Sequence, residues 1–208
     1  MSLIARPGWP AHPREKKYIF FDDFIGSGYD SRRWTLSTGG SIATQATVGG
    51  IILVRGNAAS TFRMDFNNIA PFTSGSGAHI VWRGAMQPAT AASGRASCGF
   101  NEYAAPSTDW IRWIYEPNAS ANFRCECTKS GSTTVESSGV AGDTANHRFE
   151  IEVALNSAKF YLDGVLTNTI TANVISNYMQ PFVSCTGSAA ATSDFLADYV
   201  WAQGGTRE

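Results

Sequence analysis

The sequence lacks any apolar run of about 18 residues, the length that would suggest a membrane-spanning helix. Its opening, MSLIARPGWPAHPREKK, has no apolar centre of the signal-peptide kind. Charge is scarce: Asp, Glu, Lys and Arg together make up 16% of the chain, and the net charge is −1. That balance excludes the basic footprint of a general nucleic-acid binder. No apolar stripe at i, i+3, i+4 spacing is long enough for a substantial helix, although Val174–Met179 could hold one short turn. Histidine is limited to His12, His79 and His147, and no two share a metal-ligand spacing, so a zinc site is not expected. GxSxG, HExxH, a Walker loop and GxGxxG in a strand–helix setting are all absent. Four cysteines occur, Cys98, Cys125, Cys127 and Cys185, and Cys125-Glu126-Cys127 is neither a zinc-ribbon nor a redox CxxC. With no export signal, reduced buried thiols are the expectation.

Short alternating segments punctuated by Gly, Ser and Asn are abundant. They include Tyr18–Phe24, Gly50–Arg55, Thr61–Phe66, Ala78–Gln87, Ala96–Tyr103, Asp109–Glu116, Asn122–Thr128, Pro181–Cys185 and Asp194–Gln203. Asn168–Asn173 is expected to cross over between sheets. Strands at such spacing predict an all-β fold, an antiparallel two-sheet β-sandwich. The chain has 208 residues with no linker or charge run to divide them. We expect an extended Pro/Arg arm over residues 1–16 and one domain over 17–208. A domain of this size buries about 70% of its unfolded surface.

Residues 146–164, NHRFEIEVALNSAKFYLDG, read as a β-hairpin. Phe149, Ile151, Val153 and Leu155 alternate with polar residues, and Ala158, Phe160 and Leu162 resume the pattern. A two-residue Asn156-Ser157 turn would set Leu155 opposite Ala158, Val153 opposite Phe160 and Ile151 opposite Leu162. The same register would set Glu150 opposite Asp163, and like charges in that position repel. Either Arg148 and Lys159 neutralise this face or a cation bound at Glu150 and Asp163, a structural calcium, does so. No other cofactor is expected.

Three further groups are candidates for function. Trp110, Arg112 and Trp113 lie in DWIRWIYE. Trp110 and Arg112 share one strand face, while Trp113 shares the other with Ile111 and Tyr115. A tryptophan beside an arginine suits sugar stacking or an interface, although core packing also accounts for both tryptophans. Glu150 and Glu152 lie about 7 Å apart from strand rise, a spacing that would permit glycoside hydrolysis. Arg6, Trp9 and Arg14 would make the arm a docking segment. One of Asp22 and Asp23 is expected to cap the following turn.

FFDDF…G…Y-D…RRW-T near the start, HRFEIEV…KFYLDG and the final DFLADYVW resemble the concanavalin A-like lectin/glucanase superfamily across about residues 17–203. The resemblance implies a concanavalin A-like jelly roll with its first and last strands paired. Glucanases of that superfamily carry E-x-D-x-E or E-x-D-x-x-E on one strand. Here Glu150-Ile151-Glu152-Val153-Ala154 lacks the central Asp and final Glu, so enzymatic activity is not carried over. The low charge, Ala/Ser/Thr/Gly richness and arm are similar to stand-alone jelly rolls of bacteriophage particles. The first expectation is therefore a non-enzymatic virion structural protein, a capsid decoration or tail appendage. It would be made in the host cytoplasm and assembled with itself or other virion subunits, with neither nucleic acid nor membrane insertion involved. The alternatives are a lectin-like carbohydrate-binding module and a divergent glycoside hydrolase.

Overall fold

The computed structural model describes residues 18–24, 29–44, 51–66, 72–91 and 93–204. Arg6, Trp9 and Arg14, and with them the expected arm, lie outside the described residues. In chain order the strands are β1 (Tyr18–Asp22), β2 (Trp34–Leu36), β3 (Gly40–Thr44), β4 (Ile52–Gly56), β5 (Thr61–Phe66) and β6 (Phe72–Thr73). There follow β7 (Ala78–Gln87), β8 (Arg95–Glu102), β9 (Trp110–Tyr115), β10 (Asn122–Lys129) and β11 (Ser132–Ala141). The last are β12 (His147–Ala154), β13 (Ser157–Leu162), β14 (Val165–Ile170), β15 (Tyr178–Thr186) and β16 (Ser193–Gly204). The helical element among the described residues is one 3₁₀ turn, Ser74–Ser76, and the turn expected at Val174–Met179 is absent.

The strands form two antiparallel eight-stranded sheets. The first runs β14-β13-β12-β7-β16-β4-β3, with β1 also on β16; the second runs β11-β10-β9-β8-β15-β5-β2, with β6 on β15. First and last strands pair, Tyr18 opposite Gly204 and Asp22 opposite Val200. Alternation places one face of each sheet in a common core. Phe149, Ile151 and Val153 enter it from β12, and Ile111 and Trp113 from β9. Trp34 and Trp82 anchor one aromatic cluster at 5.9 Å between ring centres. Trp113 packs against Phe149 at 5.9 Å and Phe160 at 5.6 Å. Asp22 caps its turn as expected: Oδ1 accepts the Phe24 N–H at 3.0 Å, and Oδ2 takes the Trp34 indole N–H at 2.8 Å. All four cysteines are free and buried.

The β12–β13 hairpin has the expected faces but a different register. Its turn is Leu155-Asn156, and Asn156 takes φ +62°, a left-handed conformation that Asn tolerates. Val153 therefore faces Ala158, Ile151 faces Phe160 and Phe149 faces Leu162. Moving the turn by one residue shifts the pairing by two, so no side chain changes face. Leu155 drops out of the apolar row and is 66% exposed at the tip. A second correction concerns the segment after it. The expected crossover at Asn168–Asn173 is instead β14, joined to β13 by a tight Asp163-Gly164 turn with φ +51° and +83°.

Candidate functional site

Strand β9 presents Trp110 and Arg112 on the outer face of the second sheet. Its neighbours complete a row across that sheet: Asp65 pairs with Phe182, Phe182 with Gly99, Gly99 with Arg112, and Arg112 with Glu126. Gly99 contributes no side chain to the row, and a Cβ there would collide with the Ile111 carbonyl oxygen. A cavity of about 380 Å³ lies here, its lining including Arg63, Arg95, Trp110, Arg112, Phe182 and Ser184. Pro106 and Ser107, from the loop between β8 and β9, also line it. That loop is tied to the floor: the Pro106 carbonyl accepts Arg63 Nη1 at 3.0 Å and Asn101 Nδ2 at 3.3 Å.

Trp110 is held on two sides. Its indole N–H donates to Glu126 Oε1, and the Arg112 guanidinium lies 4.1 Å from its ring centre. Glu126 Oε1 also accepts Arg112 Nη2 at 2.8 Å. Burial lowers the Arg112 pKa to about 10, against the attraction of Glu126, and Arg95 and Arg124 lower it further; the group stays charged at neutral pH. Asp65 binds Arg63 Nε at 2.6 Å and Asn101 Nδ2 at 2.6 Å. Burial nevertheless outweighs these contacts and raises the Asp65 carboxyl above its ordinary value. No Asp or Glu appears among the described lining residues.

Trp113 does not belong to this site. Its side chain points into the core, fully buried, and its indole N–H donates to the Glu150 carbonyl at 3.1 Å. It therefore links the two sheets and cannot stack on an outside ligand, which corrects the expectation that grouped it with Trp110 and Arg112.

Glu150 and Glu152 lie on the outer face of the first sheet, on the opposite side of the sandwich from Trp110. They face Tyr161 and Lys159, so the expected clash of Glu150 with Asp163 does not exist. Asp163 sits in the next turn, where Oδ1 accepts the Arg148 N–H at 2.8 Å and Oδ2 meets His147 Nδ1 at 2.6 Å. A cation held by Glu150 and Asp163 has no such opposed pair to bridge. Glu150 instead contacts His79 Nε2 at 2.7 Å and Arg148 Nη2 at 2.7 Å. Glu152 Oε2 accepts the Tyr161 hydroxyl at 2.8 Å. One ligand atom each from His79, Glu150 and Glu152 fall within 4.8 Å of one another, a set that could hold a metal. His79 was missed because its partner is 71 residues away.

Arg63, Asp65, Arg95, Asn101, Glu126 and Phe182 were also missed. They come from four strands besides β9, and no local spacing links them.

No family model and no curated protein matches the sequence. Solved structures do match it. The Bacillus licheniformis β-glucanase is 15% identical with a TM-score of 0.61, covering 91% of this chain and 98% of that one. A prokaryotic β-1,3-1,4-glucanase (lichenase) from a mouse hindgut metagenome is 13% identical with a TM-score of 0.64, covering 90% and 99%. The chain has the concanavalin A-like jelly-roll fold. A sialidase also matches over 81% of this chain at 9% identity and a TM-score of 0.60, but the jelly roll spans 17% of that protein's length. At these identities the likeness is one of fold, and the chemistry has to be argued from this chain's own side chains.

Proposed function

We propose that this protein is a non-enzymatic glycan-binding jelly roll whose ligand occupies the Trp110 cavity. One observation carries the reading: a fixed, half-buried indole stands beside three guanidiniums and several hydroxyls in a depression with no carboxylate among its described lining residues. Trp110 supplies apolar surface for a sugar ring, with Phe182 buried in the floor, and Arg, Ser and Thr groups supply hydrogen bonds to its hydroxyls. Hydrolysis requires two carboxylates beneath the ring. The two carboxylates of the same cross-strand row, Asp65 and Glu126, are already committed to Arg63 and Arg112. Neighbours described as glucanases support a carbohydrate-related setting for the fold. The test is a glycan array followed by titration of the best ligand, with Trp110→Ala as control. Binding lost in that variant supports the reading; binding unchanged, or absent across a broad panel, overturns it.

A second reading, the virion subunit, is favoured by a different face. On edge strand β1, Ile19 is 60% and Phe21 50% exposed, and Phe21 joins Val81, Tyr199 and Trp201 around a shallow depression. An edge strand with exposed apolar residues suits a subunit contact. Light scattering of the intact protein, with and without Phe21→Ser, tests it: a monomer without particle affinity would remove this reading and leave the glycan site standing.

A further inference from the structure

We propose that the Trp110 cavity selects anionic glycans, and that Arg95 is the residue that reads the carboxylate or sulfate. The inference rests on the glycan-binding reading and names the substrate class. Three guanidiniums line the cavity, those of Arg63, Arg95 and Arg112. Two are neutralised locally. Arg63 Nε lies 2.6 Å from Asp65, and Arg112 Nη2 lies 2.8 Å from Glu126. Arg95 differs: its Nε donates to the Thr186 hydroxyl at 3.1 Å, and it has no ion pair among the described residues.

The acid across the ladder is already taken. Glu116, just beyond the end of β9, binds Arg124 Nη2 at 2.6 Å. The site thus carries one uncompensated positive charge whose Nε is fixed and whose terminal nitrogens retain their donors. A planar fork of this kind matches a carboxylate or sulfate through paired N–H···O contacts. Its field is felt across the cavity, since Arg95 is among the groups that depress the Arg112 pKa. Position supports the same role. Arg95 faces Thr186, which in turn faces Thr61, and the two threonine hydroxyls are 2.9 Å apart. Hydroxyl partners therefore flank the cation on the side away from Trp110. Arg95 lies six residues along β8 from Asn101, the residue opposite Trp110, so an oligosaccharide with one ring on Trp110 would bring the acidic substituent of a residue further along its chain to Arg95.

The experiment titrates the 208-residue protein with neutral gluco-oligosaccharides, galacturonate oligomers and sulfated chondroitin oligosaccharides of matched length, at low and high salt. We expect at least one anionic series to bind about tenfold or more tighter than the neutral one, with the advantage shrinking at high salt. The uronate and sulfate arms identify which substituent is read. Arg95→Gln should remove the anionic advantage, bringing the anionic series down to the affinity of the neutral one in a protein that still melts cooperatively. If Arg95→Gln does not fold, Arg95→Lys keeps the charge without the fork and should lose most of the advantage. Equal affinity for neutral and anionic sugars would overturn this inference and leave the glycan-binding reading intact. So would an anionic preference that survives both substitutions, as far as Arg95 is concerned. Failure to bind any glycan would overturn both.

Discussion

Arg112 and Glu126 face each other across the β9–β10 ladder, Nη2 to Oε1 at 2.8 Å, with side chains 6% and 8% exposed. The pair is an enclosed salt bridge that also holds the Trp110 indole. Both contacts fall on Oε1, so one carboxylate oxygen of Glu126 fixes the indole and the guanidinium together. Glu126→Ala leaves a buried guanidinium unpaired and should destabilise the fold by about 3–5 kcal/mol. Urea denaturation measures this. Replacing both partners, Arg112→Met with Glu126→Leu, should recover most of the loss because no buried charge remains.

The two tryptophans of β9 should separate stability from binding. Trp113→Ala opens a core cavity and should cost about 3–5 kcal/mol. Trp110→Ala removes a half-buried ring from the outer face, so its stability cost should be smaller than that of Trp113→Ala, while glycan affinity falls. Paired denaturation and titration curves check both. A Trp110 variant as unstable as the Trp113 variant would make Trp110 a structural residue.

His147 should make stability depend on pH near neutrality. Burial opposes its charge, but Asp163 at 2.6 Å and Asp143 at 2.8 Å outweigh that and raise its pKa above the ordinary 6.5. A pKa raised on folding adds stability that is fully present below the unfolded value and is lost as pH rises through the folded one. Asp143 has the opposite sense: its pKa is lowered, chiefly by the Ala145 N–H and then by His147, so its contribution is lost only in acid. The melting temperature should therefore fall as pH is raised past about 6.5 towards 8. His147→Gln should flatten that window. A wild-type profile already flat there would show that the Asp pair does not hold the imidazolium.

On the far side of the sandwich, Arg148 and Tyr161 already occupy oxygens of Glu150 and Glu152. Calcium prefers six to eight oxygen ligands, so added calcium should leave the melting temperature unchanged. Zinc accepts a mixed histidine and carboxylate set. If it binds His79, Glu150 and Glu152, it should alter the fluorescence of Trp201, whose ring centre is 5.0 Å from that of His79. His79→Ala should abolish any such change. Stabilisation by calcium would replace the ion-pair account of this face with a bound cation.

Much of the fold was legible because alternation is a local property. The period of two in Phe149-Glu150-Ile151-Glu152-Val153 is enough to assign a face to each residue, whatever its partner strand. The register of the same hairpin was not legible. It depended on which residue would take the left-handed position, and Asn156 took it as the second turn residue, displacing Leu155 to the tip. β2 and β6 escaped notice because three and two residues are too short to display a period.

The sequence by itself determined the all-β class, the inward and outward faces of the long strands, a turn cap from the Asp22-Asp23 pair and the pairing of Trp110 with Arg112 on one face. These follow from the chirality and alternation of a single strand. Only the tertiary structure decided that Trp113 would bind across to the Glu150 carbonyl, that Glu150 would meet His79, and that Arg63, Arg95 and Phe182 would gather around Trp110. Each of those contacts joins strands distant in the chain, and strand order in a sheet is set by which apolar faces pack together over the whole core. An outer-face side chain thus acquires neighbours that no local pattern records.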